Sequence, residues 1–422
     1  MIPNWLRTTL TTFSFSVILC SRAIAAGTEN FVTKTPSQNY FQNTYEASRE
    51  AFLKSAKALA PTAVVETARI PRQSLGARAK EVPADNSELF LDSVYLPPAS
   101  GRKERLLVLT SGTHGIEGFV GSALQTAALT ENFWGQRDKN LGVLILHALN
   151  PYGFKYERRV TESNVDLNRN LDTTPALFSL KNEGYESIRP LFNPTEPAKT
   201  GLLDRAMFYA KAIKAIYQHS MASLRDAVLR GQYEFPEAIF FGGQHFEPQK
   251  DILEKRLMQY GTGYAQVLLI DLHTGYGARG QLHLFADQSP EMNKAYIEKV
   301  FAGRKLDYGQ QKDFYQVTGS FVSFAAKLFA ADRFIGKTRF APMVFEFGTL
   351  DSQKTLGSVD SIYRMTIENQ LHHHGATSPE DEKEIRRLFR EMFYPSEAAW
   401  RASALQQFKA DLTLALKNQK AL

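Results

Sequence analysis

Cysteine is nearly missing: the 422 residues contain one, Cys20. Disulfides, cysteine-ligated metal centres and a thiol nucleophile are therefore excluded, and any metal site must be built from His and carboxylates. Beyond the N-terminus no apolar run approaches the roughly 18 residues a bilayer-crossing helix needs. No Lys/Arg run stands out and the formal charge is only +6, so a nucleic-acid partner is not expected. A Gly-x-Ser-x-Gly elbow is also lacking, which removes the nucleophile motif of a serine α/β hydrolase. Internal repeats and low-complexity linkers are not found either. What is present, 43% hydrophobic and 22% charged residues, is the composition of a globular protein with a sizeable core.

The first 25 residues differ from the rest. Arg7 precedes an apolar and hydroxyl-rich run from Leu10 to Cys20, and Ala23-Ile24-Ala25 follows as an A-x-A site. This pattern reads as a Sec-type signal peptide cleaved after Ala25, and predicts a periplasmic or secreted protein with no stable membrane span after cleavage. Leu19 before Cys20 is the wrong neighbour for a lipoprotein anchor. Arg7 and Arg22 are unaccompanied by acidic residues, so their removal leaves a formal charge of about +4.

Short apolar runs bounded by Gly, Pro or charge predict strands at Leu89 to Leu96, Arg105 to Leu109, Val143 to Leu149, Val267 to Leu272, Leu282 to Ala286 and Met343 to Phe347. Helical spacing is found at 40–60, at Ser122 to Thr130 and over the long stretch Leu202 to Leu229. Alternation of this kind predicts an α/β layer fold. Ser378-Pro-Glu-Asp381 is a capping box with Pro at the first helical position. The apolar stripe Ile385, Leu388, Phe389, Met392 and Phe393 follows it, and Pro395-Ser396 restarts a second helix. The expected organisation is a signal peptide (1–25), an N-terminal region packing on the core (26–100), one catalytic domain (101–375) with a helical insertion at about 171–265, and a C-terminal helical region (376–422).

His114 and Glu117 stand three apart after the run Leu106 to Leu109. A turn there presents His114 at the carboxyl end of the sheet, and Glu117 on the first helical turn shares its face. Catalytic zinc takes three protein ligands and keeps one position for water. His273, ending the run Val267 to Leu272, is the candidate third ligand at a second strand-to-loop junction. His147, inside a strand-like run, reads as a core residue, and His372-His373-His374 as a solvated loop; His219, His245 and His283 carry no motif. The segment from Asn150-Pro151-Tyr152-Gly153 through Arg158-Arg159 to Asn168-Arg169 reads as a long loop. Its guanidinium forks and amides suit a carboxylate.

His114-x-x-Glu117, Asn150-Pro-x-Gly153, Val165-Asp-Leu-Asn168-Arg169-Asn170, His273 and Glu346 stand in the order found in the zinc carboxypeptidase family, peptidase family M14. Over about 105–350 the chain resembles its DUF2817 branch more closely than the digestive enzymes. The resemblance implies a three-layer α/β/α fold with a central mixed, largely parallel sheet and one Zn2+ held by His114, Glu117 and His273. It implies Glu346 as general base and then acid, Arg159 (with Arg158 as competing assignment) as the carbonyl-polarising arginine, and Asn168 with Arg169 as the grip on a substrate carboxylate. Asp166 would orient a zinc-bound His. The family's mobile tyrosine is not assignable; Tyr308 and Tyr315 precede Glu346 without a supporting motif.

The expected function is zinc-dependent hydrolysis of amide bonds in small peptides or related substrates with a free carboxylate. The alternatives are an N-acyl amino acid deacylase resembling aspartoacylase or succinylglutamate desuccinylase, and a non-catalytic binding protein on the same scaffold.

Overall fold

The computed structural model describes residues 39–72, 87–135, 138–220, 223–224, 227–228, 230–286, 293–308, 318–330 and 338–422. The signal-peptide expectation at 1–25 lies outside them. In chain order the elements are α1 (Tyr45–Lys57), β1 (Val64–Ile70), β2 (Leu89–Leu96), β3 (Arg105–Ser111), α2 (Gly118–Glu131), β4 (Leu141–His147), α3 (Pro151–Lys155), α4 (Glu183–Phe192), α5 (Leu202–His219) and α6 (Gln249–Gly261). Then come β5 (Gln266–Gly275), β6 (Leu282–Ala286), α7 (Lys294–Val300), β7 (Asp307–Tyr308), α8 (Phe321–Ala330), β8 (Arg339–Gly348), α9 (Thr355–His374), α10 (Pro379–Phe393) and α11 (Ala398–Lys420).

The strands form one eight-stranded sheet in the order β1-β2-β4-β3-β5-β8-β6-β7. Its centre, β4-β3-β5-β8, is parallel, and the β1-β2, β2-β4 and β8-β6 pairs are antiparallel. The centre is parallel because β3, β4, β5 and β8 are apolar on both faces, and a two-sided strand must be covered by helices above and below. Side chains alternate across the pleat. Leu107, Leu109, Val143, Ile145, Leu268 and Ile270 therefore enter one core, with Phe52 of α1, Ala123 and Ala127 of α2, and Phe408 and Leu412 of α11. Leu106, Val108, Leu144, Leu146, Val267 and Leu269 enter the other, with Leu253 and Leu257 of α6 and Phe324 and Leu328 of α8. Each fully buried Leu or Ile contributes roughly 1.5–3 kcal/mol. The result is the three-layer α/β/α architecture anticipated from the sequence.

All six predicted strands form, with ends shifted by up to four residues; β1 and β7 were not anticipated. β1 is an edge strand whose burial is slight, and β7 has two residues, so neither carries a strong apolar signal. The helix expected over Leu202 to Leu229 ends at His219, where Ser220 turns to φ 67°. The capping box forms: Ser378 Oγ accepts from the Asp381 N–H at 3.1 Å. His372-His373-His374 is not a solvated loop. It is the last turn of α9, which Gly375 ends at φ 74°, and His372 is 7% exposed.

Candidate metal centre and active-site cavity

β3 continues into β4 on one side, while its other parallel neighbour is β5. The strand order reverses there, and the crevice beyond the carboxyl ends of β3 and β5 is where such sheets assemble sites. Past β3, Gly112 turns at φ 74° and a single 3-10 turn, Gly115–Glu117, leads into α2. Gly115 lies so close to Gly153 that a Cβ would meet backbone at 2.1 Å. Its N–H donates to Arg159 O at 3.0 Å and that of Ile116 to Arg158 O at 2.9 Å. These contacts clamp the His114 turn to the Asn150–Arg169 segment.

That segment is less irregular than expected. Asn150 caps α3 by accepting from Gly153 N–H at 3.0 Å, and Asp166 caps a turn over Leu167–Arg169, accepting from Asn168 N–H at 3.0 Å. The Asp166 N–H in turn donates to Phe241 O at 2.7 Å, which ties the segment to the insertion.

His114, Glu117 and His273 meet at the centre, all buried, with one ligand atom from each lying within 4.8 Å of the others. Glu117 Oε1 is 2.8 Å from His114 Nδ1, and Oε2 is 3.0 Å from His273 Nδ1. The two Nδ1 atoms are 3.2 Å apart. On the far side of each ring stands a carboxylate: His273 Nε2 is 2.7 Å from Asp271 Oδ2, and His114 Nε2 is 3.3 Å from Asp166 Oδ1. The Asp271 carboxylate assigns the His273 ring proton to Nε2, so the His273 Nδ1 lone pair faces the Glu117 carboxylate and His114 Nδ1. A divalent cation is the complement of that arrangement, and the two-His, one-Glu donor set suits zinc. Burial opposes charge on the His273 imidazole, but Asp271 and then Glu117 raise its pKa well above the usual histidine value. Burial likewise disfavours charge on Glu117, yet His114 and His273 hold it well below the usual carboxylate range.

Sequence order sets Asp271 beside His273 as Asp271-Leu-His273 without giving it a role. It precedes His273 by two residues on β5, a spacing that places both side chains on one face. Thr110 Oγ1 donates to its Oδ1 at 2.6 Å and Thr113 Oγ1 lies 3.2 Å from both its oxygens. The signal was available: an Asp-x-His pair inside a strand.

Glu346 is the cross-strand neighbour of His273 on β8. Its Oε1 accepts from Tyr276 N–H at 2.9 Å. Burial, and then the nearby Glu117 charge, push its pKa up to about 8, the direction that favours a protonated carboxyl. Arg159 reaches Asp166 Oδ2 at 3.2 Å through both Nε and Nη2, and Glu117 Oε1 at 3.5 Å through Nη1. Arg158, the competing assignment, is 3% exposed and tied to Glu368 at 2.8 Å and Asn164 at 3.1 Å. The structure thus places Arg159 at the cavity and Arg158 in a buried cluster beneath it.

Asn168 Oδ1 accepts from Phe321 N–H at 3.0 Å, and Asn168 lines the cavity. Arg169 is 2% exposed; its Nη1 donates to Asn168 O at 3.0 Å and its Nε has no partner. Burial lowers its pKa against the pull of Asp166. Gly319, at φ 71°, lies against the Arg169 backbone where a Cβ would meet its carbonyl oxygen at 2.4 Å.

His114, Glu117, Arg159, Asn168, Arg169, His273 and Glu346 line one cavity of about 310 Å³. Among the described residues its one tyrosine is Tyr276, whereas Tyr308 lies away from it, bonded to Glu298 at 3.1 Å, and Tyr315 is outside the described residues. His147 is fully buried in the core, as its strand position predicted.

The fold and site together define an α/β protein with a His-Glu-His metal-type cluster at the sheet's switch point. The family model described as "Protein of unknown function (DUF2817)" matches residues 41–407, and the chain belongs to that family. A search of curated proteins finds no match. Similar solved structures include carboxypeptidase A from Helicoverpa armigera, at 12% identity and TM-score 0.40, covering 80% of this chain and 77% of that one. Murein-tripeptide amidase MpaA from Escherichia coli O157 is similar at 15% identity and TM-score 0.31, covering 76% and 96%. An aspartoacylase family protein from Mesorhizobium loti is similar at 15% identity and TM-score 0.32, covering 75% and 68%.

Proposed function

We propose that this protein is a zinc-dependent hydrolase of amide bonds, metallocarboxypeptidase-like in chemistry, acting on substrates with a free carboxylate. The observation that carries the reading is one cavity holding both the converging Nδ1 and carboxylate donors of His114, Glu117 and His273 and the buried Arg169 guanidinium with an unpartnered Nε. A buried cation lacking partners is costly, and a carboxylate relieves that cost through charge-assisted hydrogen bonds.

His114, Glu117 and His273 would hold the zinc ion, which supplies a Lewis acid for the carbonyl and a water acidified towards a pKa of about 7. Asn168 and Arg169 bind the substrate carboxylate and so fix the register of the scissile amide. Asp271 and Asp166 keep the two imidazoles turned with their Nδ1 lone pairs inward. Glu346 accepts a proton from the attacking water and returns it to the leaving amine nitrogen. Arg159 offers N–H donors to the carbonyl oxygen as negative charge develops there. A peptide and an N-acyl amino acid both present this pairing of amide and carboxylate. The N-terminal 25 residues are assigned as a signal peptide that delivers the enzyme to the periplasm or beyond.

The test is metal analysis of the purified protein with turnover measured before and after chelation. The panel pairs short peptides and N-acyl amino acids with their carboxamide-blocked forms. One zinc per chain, loss of turnover on chelation and recovery on adding zinc are expected, together with rejection of blocked substrates. No stoichiometric metal in wild type, or equal metal in His114→Ala, overturns the metal centre. Equal cleavage of free and blocked substrates removes the carboxylate from the reading.

A further inference from the structure

The polar residues occupy one part of the cavity; the rest is a wall of a different kind. Phe192 of α4, Ala212 and Ile216 of α5, Phe240, and Ile362 and Met365 of α9 all line it. The polar groups this wall contains are already engaged: Ser358 Oγ donates to Ser352 O, and Ser361 Oγ to Gly357 O. Phe240 is held at φ 62°, a conformation a bulky residue rarely adopts, with its backbone carbonyl accepting from Gln232 N–H at 3.0 Å. Its ring stands 5.8 Å from the Arg159 guanidinium, so the wall begins beside the polar centre.

We infer that the wall receives a linear aliphatic acyl chain, and that the substrate is an amino acid, free at its carboxylate, N-acylated by such a chain. The inference rests on the amide-hydrolase reading above. A peptide main chain carries an N–H and a C=O at every residue, and each one buried without a partner costs free energy. The side chains of Phe192, Ala212, Ile216, Phe240, Ile362 and Met365 offer no such partners, and Ser358 and Ser361 beside them have already committed their hydroxyl protons. A methylene chain has nothing to satisfy, and each CH2 removed from water is favourable by an amount equivalent to roughly fourfold in affinity. With the carboxylate on Arg169 and the amide at the metal centre, the acyl group lies on the carbonyl side of the scissile bond. Hydrolysis then adds water across that bond: the carbonyl carbon gains an oxygen, the C–N bond breaks and the nitrogen takes a proton. The products are an aliphatic carboxylate and a free amino acid, with no co-reactant besides water.

The experiment titrates the zinc-free protein calorimetrically with one amino acid carrying acetyl, hexanoyl, decanoyl or dodecanoyl groups, and measures turnover of the zinc-loaded protein on the same series and on apolar tetrapeptides. Affinity should rise with chain length, by up to about fourfold per methylene until the cavity is filled, and kcat/KM should follow. Ala212→Trp, which fills the wall, should flatten the chain-length dependence; Ile216→Gln should lower it without adding bulk. Thermal unfolding checks that both variants fold. Equal binding and turnover from acetyl to dodecanoyl, or tetrapeptides cleaved better than the acylated series, would overturn the acyl-chain inference and leave the hydrolase reading standing. Binding that rises with chain length while no amide is cleaved would overturn the hydrolase reading and support the wall's ligand.

Discussion

The cavity's two sides are built on opposite plans. On the polar side, side chains are fixed by hydrogen bonds at the sheet's carboxyl end: Asp271 by Thr110 and Thr113, His273 by Asp271, and Glu346 by the Tyr276 N–H. On the apolar side, α5 buries little. Ala212 is its one fully buried residue, while Leu202, Leu203 and Tyr217 are 88%, 72% and 88% exposed. The difference teaches where precision is spent. Bond-breaking needs donors and acceptors held to fractions of an ångström, whereas an apolar ligand is bound in proportion to area and tolerates adjustment. The metal-type cluster and Glu346 gather at the carboxyl ends of β3, β5 and β8, whereas the wall draws on α4, α5 and α9.

The sharpest test of the polar side is Glu346→Gln. It keeps shape and burial but cannot accept the proton, so kcat should fall by about 10²–10⁴-fold with zinc content unchanged. Turnover and metal analysis on the same preparation decide it; undiminished kcat would remove Glu346 from its role.

Arg169→Met should follow, with kcat/KM lower by about 100-fold for substrates with a free carboxylate, the scale of losing one partner of a buried charge pair. For carboxamide-blocked substrates the same change should cost little, because the interaction is already gone. A loss of equal size on both would mean that Arg169 supports the fold and not the ligand.

Asp271→Asn is expected to weaken zinc affinity by about 10–100-fold, since the imidazole of His273 loses the acceptor that orients it. Competition against a chelator of known affinity measures this. The corresponding change at the wall, Ile216→Gln, should leave zinc affinity as it was, and an equal effect from both would erase the distinction between the two sides.

The two sides also differ in how far residue order revealed them. His114, Glu117, His273, Glu346, Arg159, Asn168 and Arg169, named from residue types at strand ends and from the order of motifs along the chain, all line one cavity. Asp271, visible in Asp271-Leu-His273, had no assigned role because its carboxylate reaches the cluster only through the far nitrogen of His273. The wall gave no comparable sign. Phe192, Ile216, Phe240 and Met365 come from four separate segments, and apolar residues at helical spacing look the same whether they face a core or a cavity. Nor did the His372-His373-His374 run declare itself, since helix continuation up to Gly375 depends on α9 packing against α10 through Leu371, Ile385 and Leu388. The six main strands were anticipated because two-sided burial leaves continuous apolar runs, whereas the lightly buried β1 does not.

The smallest predicted effect concerns the support beneath the polar side, and it is one of stability. His147 is fully buried at the end of β4, stacked on Phe52 at 4.3 Å between ring centroids, with Nε2 2.9 Å from Ser122 Oγ. Burial pushes its pKa down to about 4, with Asp92 only partly opposing. An unfolded histidine titrates near 6.5, so between those values the unfolded chain binds a proton that the folded one refuses. Its contribution is therefore complete above about pH 6.5 and is lost as pH falls towards 4, by about 2 kcal/mol at pH 5. Urea midpoints measured from pH 7.5 to pH 5 should decline in wild type and decline less in His147→Gln, even though that variant starts out less stable for want of the ring stack. Identical slopes would assign the acid sensitivity to other groups.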